Sequence, residues 1–588
     1  MKHYSGSFNK RSRLLQAPAL ADSPAGRLKP LQPDSLAEHL QQVLQVQNDF
    51  FPCFDWAFPP PLLNRCEPPE TATELFAQPS VEPGYYSLYL HIPFCKTLCS
   101  FCYYTVLPGR GIEQSQSYVD YLLREMALYA PVVRDQWCES VYIGGGTPTY
   151  LDEALIARLL EAIRAHFNLT EGAEISMEAA PGTLSHSKVK LLGELGINRL
   201  SYGIQTLDEE LLATMNRHYR VAEAERELDH ALELIGNVNV DTMYGFDGEP
   251  DHALHNTLER FHALGIPSLS IYALDMQRSV KGKSLFGPPR DEQYQRKIRL
   301  FTEATEILGG LGYEAVLQNV YLMPGKASYR HQVRRWDNLP LVSLGLSAQG
   351  YAPRAAYHNV GAIKPYYQLL DQGKLPIATV DYLTPQLELI REVASRLRFT
   401  RLDVGAIQRK YGVDLDYVFG DLIKALLTHG YLQRDGDEIS MTAKACYYNN
   451  IIPMLFAPDA FKEQLMGLPE EYLEQYPVPY VMTRADHPSG TDRAEEALPL
   501  VEEALEGRRR VLGKDHPDTL VSINNVGYML LALGRADEAE PYYREALERV
   551  DRATSKRIAN VRSSARLAGG RSGKNRTEFL PRDHGLGY

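Results

Sequence analysis

The chain has 588 residues, 44% of them hydrophobic, and a formal net charge of −12. That length fits about two to four domains, the acidic balance gives no general attraction to nucleic acid, and no apolar run approaches the about 18 residues that cross a membrane. Seven cysteines, an odd number with three of them clustered, argue against a disulfide framework, and the N-terminus has no apolar signal core, so a cytoplasmic protein is expected.

Residues 1–85 read as an N-terminal extension. Pro59-Pro60-Pro61 and Pro68-Pro69 punctuate it, and its one helical stretch runs from about Ser35 to Asn48. From Ser87 short apolar runs alternate with amphipathic helices. Strands are expected at Ser87–His91, Ser140–Ile143, Glu174–Glu178, Arg199–Gly203, Asn237–Met243 and Ser268–Ala273. Helices are expected at Gln114–Tyr129, Ala154–Phe167, Ser185–Leu195, Leu211–Asn216 and Ala222–Ile235. Strand, helix, strand in this order predicts an α/β fold with parallel strands wrapped by helices, whose functional residues gather at the C-terminal strand ends.

Cys95, Cys99 and Cys102 lie in Tyr-Leu-His-Ile-Pro-Phe-Cys-Lys-Thr-Leu-Cys-Ser-Phe-Cys. Three thiolates so spaced can hold three irons of a four-iron cluster and leave the fourth iron open to a small molecule. Structural zinc usually takes four closed ligands, and no nearby Cys or His pair completes that set. Three scattered core cysteines would rarely be so close together.

The Cys-x-x-x-Cys-x-x-Cys motif resembles that of the radical S-adenosylmethionine (SAM) superfamily. The lead-in from Tyr89 to Cys95 and the Gly144-Gly145-Gly146-Thr147-Pro148-Thr149 loop are similar to those of the branch holding oxygen-independent coproporphyrinogen III oxidases and haem chaperones. The resemblance runs from about Ser87 to about Pro453. It implies a partial (β/α)6 barrel, a [4Fe–4S] cluster on Cys95, Cys99 and Cys102, reductive SAM cleavage, and a one-electron donor such as flavodoxin or ferredoxin. Glycines let backbone amides approach a polar ligand closely, and by resemblance this loop holds the methionine part of SAM. The same resemblance places Tyr89, Gly145 and Glu178 at a first SAM. Phe101, Gly146, Thr147, Gln205, Arg217, Asp241 and Ala273 match contacts of a second SAM.

Two departures shape the functional expectation. The oxidases carry a further cysteine two positions past the third cluster ligand, where this chain has Tyr104. The haem chaperones carry His-Asn-x-x-Tyr-Trp, where this chain reads His331-Gln332-Val333-Arg334-Arg335-Trp336. A two-SAM enzyme transferring methyl or methylene to an unsaturated small molecule is therefore the leading expectation. An oxidase-like or haem-handling protein is the alternative, with His331 as its haem ligand.

These expectations assign residues 86–382 to the radical SAM core. Residues 383–482 follow as a winged-helix-like domain, with helices at Pro385–Leu397, Val404–Tyr411 and Val418–His429 before a hairpin turning at Asp435-Gly436-Asp437. Its third helix offers Asp421 against a single Lys424, a poor DNA reader. Farther on, Arg493-Ala494-Glu495-Glu496-Ala497-Leu498-Pro499 recurs 42 residues later as Arg535-Ala536-Asp537-Glu538-Ala539-Glu540-Pro541. This resembles tetratricopeptide repeats of kinesin light chain type, so residues 483–550 are expected to form a linker and a short repeat segment that meets a protein partner. Residues 551–588 hold nine Lys or Arg against three acids and read as a disordered basic tail.

Overall fold

Six strands occur where the sequence places them, each buried through most of its length. The structure, a computed structural model, describes residues 65–274, 291–442, 452–456 and 535–552 apart from 67, 103, 110, 247, 318 and 400, with isolated residues between 445 and 530. The expected helix at Ser35–Asn48, the linker before Arg493 and the tail beyond Arg552 lie outside the described residues. The strands are β1 (Tyr85–Ile92), β2 (Trp137–Gly145), β3 (Leu169–Ala179), β4 (Arg199–Gln205), β5 (Val238–Tyr244) and β6 (Ser268–Ala273). They pair in that order and all parallel.

Between them run α1 (Ile112–Tyr129), α2 (Glu153–His166), α3 (His186–Glu194), α4 (Glu209–Thr214), α5 (Val221–Leu234) and α6 (Ala253–Ala263). Several start on a side-chain cap that satisfies an otherwise orphaned amide: Asp152 accepts from Leu155, Ser185 from Lys188 and Asp208 from Leu211. Helix α7 (Asp291–Gly310) follows β6.

The strands alternate strictly between two environments. Leu88, Val141, Met177, Leu200, Val240 and Ile271 are all no more than 1% exposed and join the helices in one apolar core. Their neighbours on the other face are polar and small: Ser87, Ser140, Ser176, Ser201, Ser268 and Ser270 are buried as well. Large branched residues usually fill a barrel interior. Here serines leave room for a segment that enters from the strand-start end, carrying Tyr329 and α8 (Arg330–Arg335).

Beyond this core the sheet continues in a way the strand pattern did not foretell. Strand β8 (Val320–Leu322) adds antiparallel to β6, and β7 (Glu314–Leu317) adds antiparallel to β8 at the sheet edge. On the far edge β9 (Leu341–Leu344) lies parallel to β1, followed antiparallel by β10 (Gln349–Ala352), β11 (Ala355–Asn359) and β12 (Ile377–Tyr382). Arg65–Cys66 pairs with β12, giving a 13-stranded sheet among the described residues. Helix α9 (Ile363–Asp371) joins β11 to β12.

Helices α10 (Pro385–Phe399), α11 (Val404–Tyr411) and α12 (Leu415–Thr428) come next, as expected. Leu402–Asp403, Glu438–Met441 and Leu432–Asp435 form a three-stranded sheet, with Gly436 at φ +58° in the tight turn. These elements share a second apolar cluster with Leu341 and Tyr351.

The chain divides into two compact units, Met1–Val481 and Met482–Tyr588. In the second, α13 (Ala536–Arg552) begins within the second copy of the repeated sequence, one residue after Arg535. Gly527 sits against the Tyr543 ring, where an added Cβ would lie 3.0 Å away, and Arg509 pairs with Glu545 at 2.6 Å. Among the described residues, no helix is long and apolar enough to cross a membrane.

Candidate functional site

The cysteine loop leaves the C-terminal end of β1 and is tied down on two sides. Leu107 N donates to Pro93 O at 2.6 Å and Gly109 N to Cys95 O at 3.0 Å. On the other side Asn216 Nδ2 reaches Leu98 O at 2.7 Å, and Ser100 donates to Met215 O and Thr214 O. Loop residues 98–100 are thereby held by the end of α4, more than a hundred residues away in sequence. Cys95, Cys99 and Cys102 are free thiols and half-buried. Burial pushes the Cys95 thiol up to about 11 and the Cys102 thiol up to about 12. Iron would take these groups as thiolates, so loading a cluster would release their protons.

Among the described residues, no three His, Cys, Asp or Glu side chains converge on one metal-ion position. A tetrahedral zinc site needs such convergence, whereas a four-iron cluster takes each thiolate on a separate iron. The glycine loop packs directly against the cysteine loop. Gly146 lies against the loop so closely that an added Cβ would stand 2.7 Å from Phe94 O and 2.9 Å from Cys95 Sγ. Thr147 Oγ1 donates to Cys95 Sγ at 3.6 Å.

The glycine loop at the end of β2 approaches the neighbouring strands equally closely. Gly145 has φ +115°, a left-handed conformation that favours glycine, and an added Cβ would meet the His91 ring at 2.7 Å. Its amide donates to Glu178 Oε2 at 2.8 Å, while Tyr142 donates from its hydroxyl to Glu178 Oε1 at 2.8 Å. Burial, assisted by Asp241, raises the Glu178 carboxyl to about 7. Tyr89 stacks on Tyr142 with centroids 6.2 Å apart. The Tyr89 hydroxyl lies 3.1 Å from His91 Nδ1, and His91 Nε2 lies 2.9 Å from Thr105 O. With Nε2–H donating to that carbonyl, Nδ1 accepts from Tyr89. Burial lowers the His91 pKa to about 4, so the ring is neutral at pH 7.

The remaining residues complete an arc along the C-terminal strand ends. Glu178 pairs in register with Ser201, Gly203 with Asp241, and Tyr244 with Ala273, which is exposed at the end of β6. Gln205 is buried with φ +79°, an uncommon conformation for a non-glycine residue. Arg217 Nη1 donates to Gly203 O at 2.5 Å, and its guanidinium lies 5.7 Å from the Phe101 ring. Asp241 accepts from Asn239 at 2.8 Å and from Ser201 at 3.3 Å, and burial raises its carboxyl above the usual range. The structure thus brings the singled-out side chains to one end of one sheet, with Arg217 and Phe101 together on its α4 side.

His331 lies elsewhere. Its ring is 1% exposed, its Nδ1 is 2.9 Å from Ser140 Oγ, and it stacks on Tyr142 at 5.1 Å. Burial, with Arg335 and Arg199 nearby, lowers its pKa to about 3. This packing leaves no open face for a macrocycle, so haem ligation by His331 does not fit.

Two buried residues escaped the sequence reading. Arg199 is fully buried, stacks on Tyr329 with Cζ 3.6 Å from the ring centre, and pulls the raised carboxyls of Asp241 and Glu178 back down. Its signal was a charge opening an otherwise buried strand. Glu125 in α1 accepts from Gly345 N at 2.8 Å, Asn359 Nδ2 at 2.7 Å and Tyr366 at 2.6 Å. It fixes the Gly345-Leu346 turn, whose Leu346 amide donates to Tyr118 at 2.8 Å while Tyr118 donates to His91 O. An acid on a helix gives no sign of partners over two hundred residues away.

Comparison with known proteins finds relatives of two parts of the chain. Residues 89–261 match the Radical SAM superfamily and residues 487–552 a tetratricopeptide repeat family. The heme chaperone HemW of Bacillus subtilis is 28% identical over 367 residues, covering 60% of this chain and 95% of that protein. The oxygen-independent coproporphyrinogen III oxidase of Escherichia coli K12 is 28% identical over 382 residues, covering 61% and 82%. The solved structure of Escherichia coli coproporphyrinogen III oxidase (HemN), a radical SAM enzyme, superposes with a TM-score of 0.56 at 26% identity, covering 64% of this chain and 90% of that one. These relatives correct the expectation of methyl or methylene transfer, since they are named for coproporphyrinogen oxidation and heme handling. The chain thus contains a Radical SAM domain, is homologous to coproporphyrinogen III oxidases and heme chaperones over about three fifths of its length, and ends in a region that matches tetratricopeptide repeats.

Proposed function

We propose that the protein is a radical SAM enzyme of tetrapyrrole metabolism, of the coproporphyrinogen III oxidase type. The observation that carries this reading is the arc of Tyr89, Gly145, Glu178, Gln205, Asp241 and Ala273 along the strand ends, beside the cysteine loop. Cys95, Cys99 and Cys102 hold a [4Fe–4S] cluster, which together with SAM and an external one-electron donor supplies radical chemistry when bound. Tyr89, the Gly145 amide region and Glu178 bind one SAM. Phe101, Gly146, Thr147, Gln205, Arg217, Asp241 and Ala273 bind a second. Buried carboxylates suit ammonium or ribose hydroxyl groups, because a paired buried charge avoids the desolvation cost of an unpaired one. Close packing of the glycine loop on β1 and β3 keeps water from the reacting groups. Tyr104, 48% exposed, stands where the oxidases carry cysteine, so the substrate-side contacts differ from theirs.

Anaerobically reconstituted protein should turn over coproporphyrinogen III with a reductant and SAM, binding two SAM per chain. Replacing Cys95, Cys99 or Cys102 with Ala should abolish SAM cleavage. Cluster content that survives all three replacements would sink the assignment, and one SAM per chain would remove the second site.

A second reading, haem handling, has the heme chaperone relatives in its favour. It predicts a Soret band on hemin titration without substrate turnover. Loss of that band in His331→Ala would restore His331 as the ligand.

A further inference from the structure

Tyr142 lies beneath Glu178 and stacks on Tyr89, and His331 lies beneath Tyr142. The Tyr142 hydroxyl donates to one Glu178 oxygen at 2.8 Å while the Gly145 amide donates to the other at 2.8 Å. No slack exists around this pair: a Cβ added at Gly144 would stand 2.8 Å from Tyr142 Cε1 and 3.0 Å from Glu178 Cδ. The Tyr142 ring rests on the His331 ring at 5.1 Å and 28°. His331 is itself pinned at two points, by Ser140 through Nδ1 at 2.9 Å and by Glu174 through its backbone amide at 3.0 Å. Ser140 donates its hydroxyl proton to Ser87, so Nδ1–H of His331 is the donor to Ser140.

We propose that Tyr142 and His331 are positioning residues that hold Glu178 and the glycine loop in register for SAM. The inference rests on the reading that Glu178 contacts SAM. In this tight setting both Glu178 oxygens are held, one by the Gly145 amide and the other by the Tyr142 hydroxyl. Tyr142 fixes the orientation of that carboxyl, and it cannot tilt away because His331 fills the space below. The interior serines supply the room that the His331 ring needs. The histidine that a sequence motif offers as a haem ligand is thereby assigned to the SAM site, acting from the opposite end of the strands.

The test uses the full-length, anaerobically reconstituted protein and measures SAM affinity, iron content and thermal midpoint together. Tyr142→Phe, which removes one oxygen atom, should weaken SAM binding about tenfold with iron content unchanged, as expected for loss of one hydrogen bond to a charged group. His331→Ala should weaken it similarly, and His331→Phe, which restores a ring beneath Tyr142, should recover most of the loss. A merely structural role would lower the thermal midpoint of both His331 variants without separating them in SAM affinity, and that result would overturn the proposal. So would unchanged SAM affinity in Tyr142→Phe, which decides the matter if the histidine variants fail to fold. Glu178→Gln runs in parallel. If it too leaves SAM affinity unchanged, the reading of the SAM site has failed; if it alone weakens binding, the support role has failed.

Discussion

Gly146→Ala places a methyl group where the structure has no room, and the size of its effect follows from which atoms are in the way. The new Cβ would stand 2.7 Å from Phe94 O, 2.9 Å from Pro93 C and 2.9 Å from Cys95 Sγ. Reaching an ordinary contact of 3.4 Å from the nearest of these needs a displacement of ~0.7 Å. Two of the three atoms are backbone, so no side-chain rotation relieves the clash. The backbone is also clamped, by Gly146 N donating to Ile92 O at 2.8 Å and Thr147 N to Phe94 O at 2.8 Å. Overpacking costs about 1–3 kcal/mol, and weakening one of those bonds adds about 1 kcal/mol. A penalty of about 2–4 kcal/mol corresponds to roughly 30- to 1,000-fold in any equilibrium that needs the undisplaced loop. Cys95 moves with Phe94, so the loss should appear as reduced iron and sulfide per chain after anaerobic reconstitution. Gly309→Ala is the control. That glycine lies in α7 with nothing within 4 Å of an added Cβ, and the change should stabilise by about 0.5–1 kcal/mol. Wild-type iron content and SAM cleavage in Gly146→Ala would refute the reasoning.

Burial raises the Glu125 carboxyl to about 7 despite its three donors, so the folded chain keeps this proton in a range where the unfolded chain, near 4.5, has lost it. Its contribution to stability is therefore complete below about pH 4.5 and lost as pH rises through about 7, a change of about 3 kcal/mol. Glu125→Gln cannot titrate, so its thermal midpoint should fall less between pH 5 and 8 than that of the wild type; parallel profiles would contradict this. We also propose that catalysis resides in residues 86–482. Removing residues 483–588 should leave iron content and SAM cleavage unchanged while altering association with other proteins. Loss of the cluster or aggregation on truncation would make the repeats part of the catalytic fold.

Six parallel strands and their helices were legible because each strand alternates an apolar side chain toward the helices with a smaller or polar one inward, and because Asp152, Ser185 and Asp208 mark helix starts by local hydrogen bonds. The cysteine spacing and glycine triplet were legible for a related reason. Both are short segments whose chemistry is complete within a few residues.

Tertiary structure decided what depends on distant partners. Nothing in Leu341–Leu344 announces that it pairs parallel with β1, some 250 residues earlier, because a four-residue apolar run carries no record of its neighbour. The serines facing inward read as unremarkable until the chain from Ser328 to Trp336 is seen to fill the space they leave. His331 shows the limit most directly. Its sequence context offered a haem ligand, but folding buried it against Tyr142 and Ser140, and burial rather than residue type fixes it as a neutral ring within the barrel.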